Sequence, residues 1–235
     1  MLGLGAQAHA QAPGTGDCPP YGAPVEISFS MLDPEPALET GLNVTSLRDF
    51  LRTRGHVFAG RHQRTLGVTS YQARFVVGGR SYAVPIAGGF CVYLREIEVE
   101  YGYLHHDVFV ASELAPGSCE YKAVLDHENQ HVAINRAMVR EGAQLIRREL
   151  ERRLAVLEPK FSREPQLGTD RAIAELQLAA SPVLDGIEQT QAARNAALDT
   201  AGAYDAIGEL CSDWDQGTVW PKVDTGSAGR VTSSP

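Results

Sequence analysis

Apolar and polar residues alternate along the first half of the chain in the manner of β-strands. In VEISFSM (25–31), apolar side chains occupy every second position, and glutamate or serine stands between them. REIEVEYGY (95–103) has isoleucine, valine and tyrosine on one face and three glutamates on the other. A period of two is typical of strands that bury one face. The Gly78-Gly79 pair between two apolar runs predicts a hairpin turn, and HDVFVASEL (106–114) predicts a further strand.

The pattern becomes helical in the second half of the chain. From about residue 120 to 157, apolar positions follow a helical period, in a stripe that also contains two histidines. A polar loop follows, and a second helical region then reaches about residue 214, with bends expected near Pro182 and Gly202. Strands followed by helices indicate the α+β class. We expect N-terminal antiparallel strands, a long helix, and a second helical segment antiparallel to it.

Composition narrows the functional classes. The chain has 235 residues, a net charge of -8 and a hydrophobic content of 43%, which is ample for a core. The acidic balance argues against nucleic-acid binding, which needs clustered lysine and arginine. No apolar run approaches the ~20 residues of a membrane span, so stable membrane insertion is not expected. We expect a leader at 1–23, a single domain at 24–216 and a disordered tail at 217–235.

The leader and the cysteines both point to an oxidising compartment. Small residues recur at alternate positions in AHAQA (8–12), as they do ahead of a signal-peptidase cut. We interpret this leader as the remnant of a signal peptide that starts upstream, which predicts a periplasmic or secreted protein. Four cysteines fit two disulfides there, although four buried free thiols in a cytosolic protein remain the alternative. The pairs we favour are Cys18–Cys211, at opposite ends, and Cys91–Cys119, which flank the strands before the long helix.

The segment LDHENQHVAIN (125–135) carries the sharpest chemical signal. His127 and His131 are four residues apart, so on a helix they share one face and both imidazoles can bind one metal ion. Glu128 would lie to the side, where it can act as a general base without binding the metal. Zinc lowers the pKa of a bound water to about 7, and Glu128 would pass the proton to a leaving amine. The alternative is a pair of partly exposed helix histidines beside ordinary acidic residues.

The motif HENQH resembles that of the HExxH zincin-type metallopeptidases. The chain is also similar to a bacterial family of secreted Zn-dependent proteases of unknown function. The similar segments are FAGRHQRTLGVTSYQARF, CVYLREIEVEY and YDAIGELCSDW, and the likeness covers about 25–216. The resemblance implies a zincin-like fold with a Zn²⁺ cofactor. The chain departs from the family pattern near its end, where Gly208, Leu210 and Cys211 stand in place of a threonine followed by His-Gly.

A third zinc ligand is needed, because catalytic sites have three protein ligands and one open position. No histidine follows His131. Glu149 lies 18 residues further along, which at 1.5 Å per residue is ~27 Å away on one unbroken helix. A second helix that folds back antiparallel would instead bring the region around 195–205 opposite His131.

Two aspartates lie in that region, and we rank Asp205 first and Asp199 second. Asp205 takes precedence because it belongs to the Tyr-Asp step on which the family resemblance partly rests. Weaker candidates stay open: they are Glu175 and Glu188 downstream, and His105 and His106 upstream.

These expectations combine into a secreted or periplasmic zinc peptidase that acts on a peptide or protein substrate. Tyr204 could donate a hydrogen bond to the oxyanion of the tetrahedral intermediate. A non-catalytic envelope metal-binding protein and a zinc amidase acting on cell-wall peptide are the alternatives. The amidase would use the same water-activating residues, so the sequence does not distinguish it from a peptidase. No feature of the sequence indicates an oligomeric state.

Overall fold

The computed structural model describes residues 18–53, 65–212 and 214. These residues form a mixture of helices and strands, which confirms the α+β class. Most of the expected leader and the whole expected tail at 217–235 lie outside the described residues. In chain order the elements are β1 (Glu26–Leu32), β2 (Ala37–Glu39), α1 (Val44–Thr53), β3 (Gly67–Ile86), β4 (Gly89–Val110), α2 (Cys119–Leu154), β5 (Lys160–Ser162), α3 (Pro165–Leu198) and α4 (Ala201–Glu209).

The chain divides into two compact units. Of the described residues, unit 1 contains those up to Pro34, with Tyr71–His105 and Ile134–Ala193. Unit 2 contains the described residues within Glu35–Ser70, His106–Ala133 and those from Arg194 onwards. Four long elements, β3, β4, α2 and α3, contribute residues to both units.

Strand β4 pairs with every other strand of the sheet. In unit 1 it pairs in parallel with β1, with Ile27 opposite Ile97, and in antiparallel fashion with β5. In unit 2 it pairs in parallel with β2. The expectation of antiparallel N-terminal strands is therefore wrong for β1 and β2. Alternation along a strand specifies which face is buried, but it carries no information about the direction of the partner strand.

The hairpin between β3 and β4 is longer than the sequence suggested. Strand β3 continues through Gly78 and Gly79, and the turn is made by Ala87 and Gly88. Gly88 has φ +85°, which glycine adopts without the steric cost that a side chain would add. The Gly-Gly pair was therefore misread as a turn. The strand expected at 106–114 is the end of β4, which runs to Val110.

Each unit has its own apolar core. In unit 1, the buried face of β4 includes Ile97 and Val99, which are 0% and 1% exposed, as the alternation predicts. It packs with Ile146 and Leu150 of α2 and with Leu176 of α3. The core of unit 2 combines residues of α1, β3, β4, the first half of α2 and the segment after α4, with Leu47, Val68, Val108, Val124 and Trp214 among its members.

Helices α2 and α3 are antiparallel. In unit 1, Asn135 of α2 contacts Gln191 of α3, whereas Arg153, further along α2, contacts the earlier Glu175. Proline at position 182 lies inside α3. The helical region breaks after Leu198, and α4 begins at Ala201, next to the bend expected near Gly202. None of the helices in the described part of the chain is long and apolar enough to cross a membrane.

All four cysteines form disulfides, as expected, but with different partners. The pairs are Cys18–Cys91 and Cys119–Cys211, so both pairs predicted from the sequence are wrong. Cys91 lies in β4 of unit 1, and Cys119 is the first residue of α2 in unit 2. Sequence order could not reveal these pairs, because a disulfide requires Cα atoms about 5–6 Å apart in the folded chain.

Candidate functional site

Helix α2 presents His127 and His131 on one face within unit 2. Gly117 turns the chain with φ +85°, and Ser118 caps the helix by accepting a hydrogen bond from the backbone N–H of Tyr121. Both imidazoles are buried, at 7% and 8% exposure. Their Nε2 atoms are 3.2 Å apart and their rings meet edge to face. The four-residue spacing thus brings two nitrogen atoms to one point, as the sequence predicted.

Asp199 brings a carboxylate oxygen to the same point. Its Oδ1 lies 3.2 Å from His127 Nε2 and 3.1 Å from His131 Nε2. Asp199 occupies the break between α3 and α4, where the Thr200 side chain caps α4 by accepting a hydrogen bond from the backbone N–H of Ala203. We call these three side chains the His-His-Asp cluster; its three ligand atoms are close enough together to hold a metal ion.

Two further side chains bind the His-His-Asp cluster from outside. His131 Nδ1 is 2.8 Å from Asn195 Oδ1, one helical turn before Asp199. The hydroxyl of Tyr204 donates a hydrogen bond of 2.8 Å to Asp199 Oδ1, and its ring packs against His127 with centroids 5.5 Å apart. The Asp199 side chain is 41% exposed, so the cluster is accessible from solvent on this side.

The His-His-Asp cluster strongly favours an ionised carboxylate. Burial raises the pKa of Asp199, but hydrogen bonds from His127, His131 and Tyr204 outweigh burial and hold the pKa well below its usual range. Burial lowers the pKa of His131, but the acceptors on Asp199 and Asn195 raise it above the ordinary value. Burial and the Asp199 acceptor both raise the pKa of Tyr204, so its hydroxyl stays protonated. The arrangement therefore attracts a positive charge to the point where the three atoms meet.

Glu128 is buried beside the cluster without belonging to it. The residue is 5% exposed, and its Oε2 accepts a hydrogen bond of 2.8 Å from the Thr69 hydroxyl of β3. Gly67 makes room for this carboxylate: a Cβ at that position would lie 2.5 Å from Glu128 Oε1 and 2.7 Å from Val124 Cγ1. Burial raises the pKa of Glu128, and the Thr69 hydrogen bond offsets part of this effect.

The other candidate ligands lie elsewhere. Asp205, ranked first from the sequence, is exposed on α4. In β4, His105 is exposed and His106 is buried. Glu175 binds Lys160 and Arg153 in unit 1. Within the described part of the chain, the only group of three or more potential metal ligands is the His-His-Asp cluster.

Sequence reasoning missed three residues of this site: Asn195, Thr69 and Gly67. Asn195 could have been found, since it precedes Asp199 by four residues and so shares its helical face. An amide is not a usual zinc ligand, so the pattern that indicated Asp199 and Asp205 did not include Asn195. Thr69 lies 59 residues before Glu128, and no local pattern connects the two.

No family model, no curated protein and no solved structure matches this chain. The chemistry of the site therefore rests on its own geometry.

Proposed function

We propose that this protein is a zinc-dependent hydrolase that cleaves peptide bonds, with His127, His131 and Asp199 as metal ligands. The observation that carries the proposal is the nearly equilateral triangle formed by the two Nε2 atoms and Oδ1, with sides of 3.1–3.2 Å. In a tetrahedral zinc site with bonds of about 2.0–2.1 Å, ligand atoms lie about 3.3 Å apart. The triangle matches one face of such a site.

The donor types support zinc. Two imidazole nitrogens and one carboxylate oxygen are the ligands of many catalytic zinc sites, where the fourth position stays open for water or substrate. Asp199 thus replaces Asp205 as the third ligand that we propose. Zinc held by these three side chains would supply Lewis acidity, which would polarise a carbonyl and lower the pKa of water to about 7.

The remaining residues would handle protons and charge. Glu128 adjoins His127 in the chain but is fixed by Thr69 instead of joining the triangle. We infer that it accepts a proton from the attacking water and transfers it to the leaving amine nitrogen. Tyr204 brings a protonated hydroxyl to the exposed side of Asp199, where it could also donate a hydrogen bond to the developing oxyanion.

The substrate we propose is an extended peptide. Strand β3 pairs only with β4 among the described strands, and its other edge is where we propose that the peptide adds as a further strand. The same strand carries Gly67 and Thr69, which contact Glu128. A peptide bound along this edge in a zincin-like arrangement would pass close to the general base. The two disulfides fit a protein that works in the periplasm or outside the cell.

The test compares the wild type with His127→Ala and Glu128→Gln. We expect one equivalent of zinc in the wild type and in Glu128→Gln, and a large loss of zinc in His127→Ala. Hydrolysis of a mixed fluorogenic peptide library should fall by 10²–10⁴-fold in Glu128→Gln, the usual value of general base catalysis. Metal content by atomic emission and turnover are measured on the same samples.

Three results would contradict the proposal in different ways. A wild type that binds no zinc would remove the metal site. Zinc binding without hydrolysis of any library peptide would indicate a non-catalytic metal-binding protein. Hydrolysis of cell-wall peptide alone, included as a separate substrate, would indicate an amidase.

A further inference from the structure

The contact between His131 and Asn195 fixes where a proton resides. Asn195 Oδ1 lies 2.8 Å from His131 Nδ1, and an amide oxygen can only accept a hydrogen bond. With the amide in this orientation, Nδ1 carries a hydrogen. A neutral imidazole has one N–H, so in neutral His131 the other nitrogen, Nε2, has a free lone pair.

That lone pair lies inside the His-His-Asp cluster. His131 Nε2 is 3.2 Å from His127 Nε2 and 3.1 Å from Asp199 Oδ1. A metal ion can bind His131 through Nε2 only if this nitrogen carries no hydrogen. The tautomer that Asn195 stabilises is the one that can bind.

Asp199 favours the opposite tautomer. A carboxylate is a stronger hydrogen-bond acceptor than an amide, so Asp199 would attract the single N–H of neutral His131 to Nε2. In that form an N–H points into the cluster and Nε2 cannot act as a ligand. Asn195 opposes this effect from the other side of the ring. If the hydrogen were on Nε2, the unprotonated Nδ1 would face the part-buried oxygen of Asn195, and two hydrogen-bond acceptors would meet.

We propose that Asn195 is a positioning residue that holds His131 in the Nδ1–H tautomer and thereby sets the affinity of the cluster for zinc. This inference rests on the proposed zinc site. The last turn of α3 and the residue that follows the helix then act together. Asp199 would bind the metal, and Asn195, four residues earlier on α3, would orient the ring of His131. Outer partners of this kind are typically worth 10–100-fold in metal affinity.

The experiment measures the zinc dissociation constant by chelator competition for the wild type and three variants. Asn195→Leu removes the acceptor with little change in volume, and we expect affinity to fall by about 10–100-fold. Asn195→Asp keeps an acceptor for Nδ1–H, and its affinity should stay within a few-fold of the wild type or increase. Asn129→Leu is the matched control: it is the same substitution at an exposed position of α2, two residues before His131, and zinc affinity should not change.

Nitrogen NMR of histidine-labelled, zinc-free protein, recorded at a pH where His131 is neutral, provides an independent readout. We expect the single ring hydrogen of His131 on Nδ1 in the wild type and on Nε2 in Asn195→Leu. If this variant does not fold, the wild-type spectrum and Asn195→Asp decide. An unprotonated Nδ1 in the wild type would overturn the inference, as would Asn195→Leu with wild-type affinity, and in both cases the zinc site would stand. A wild type that binds no zinc would remove the proposed function and this inference with it.

Discussion

Replacing Gly67 by alanine tests how closely Glu128 is held against β3. The new methyl carbon would lie 2.5 Å from Glu128 Oε1 and 2.7 Å from Val124 Cγ1. Carbon–carbon contacts are normally about 3.5–4.0 Å, so the neighbours must move by about 1 Å. Glu128 cannot move away without loss, because its other carboxylate oxygen accepts a hydrogen bond from the Thr69 hydroxyl.

The expected magnitudes follow from this displacement. Overpacking of a buried site costs about 1–3 kcal/mol, so the free energy of unfolding measured in urea should fall by that amount. A shift of about 1 Å in a catalytic group can lower turnover about 10²-fold. Zinc content should stay at the wild-type level, because the three atoms nearest to the added methyl belong to Glu128 and Val124 and not to a proposed ligand.

A matched control separates the contact from the substitution itself. Gly41 is also in unit 2, and nothing lies within 4 Å of a Cβ built there. Gly41→Ala should leave stability and turnover unchanged or raise stability by a few tenths of a kcal/mol to about 1 kcal/mol. If Gly67→Ala behaves like Gly41→Ala in both measurements, Glu128 is not confined by β3 and the proposed position of the general base is wrong.

Three further predictions use other parts of the chain. Asp199→Ala should weaken zinc binding by more than ~100-fold in chelator competition, since even residues that only hydrogen-bond to metal ligands are worth 10–100-fold in affinity. Replacing the exposed Asp205 by alanine should leave zinc affinity unchanged, and equal effects of the two substitutions would contradict the ligand assignment. Burial raises the pKa of Glu175 but its lysine and arginine partners lower it below the ordinary value, so its contribution to stability is present above about pH 4.3 and is lost as pH falls through the folded pKa. Glu175→Gln should therefore destabilise the protein at pH 7 and much less at pH 3, and a constant difference across urea unfolding curves at both pH values would refute this. Replacing Cys119 and Cys211 together by serine should cost about 2–4 kcal/mol, and non-reducing peptide mapping should recover this pair from the wild type; a peptide that links either cysteine to another partner would contradict the structure.

Local patterns in the sequence determined the parts of the fold that depend on neighbouring residues. Alternation identified the buried face of β4, with Ile97 and Val99 inside, because side chains alternate sides along any strand. The helical period identified α2, and the spacing of His127 and His131 placed both on one face for the same geometric reason. These relations hold wherever the element lies in the protein.

The tertiary structure alone decided which distant residues meet. Asp199, and not Asp205, meets the two histidines because the helix ends at Leu198. The break places Asp199 beside the histidines and leaves Asp205 exposed on α4. The strand directions, the disulfide partners and the contact of Gly67 with Glu128 were equally hidden from the sequence. Each depends on how segments separated by tens of residues pack together. That packing is favoured because it buries apolar surface of the whole chain, and a local hydrophobic period contains no information about it.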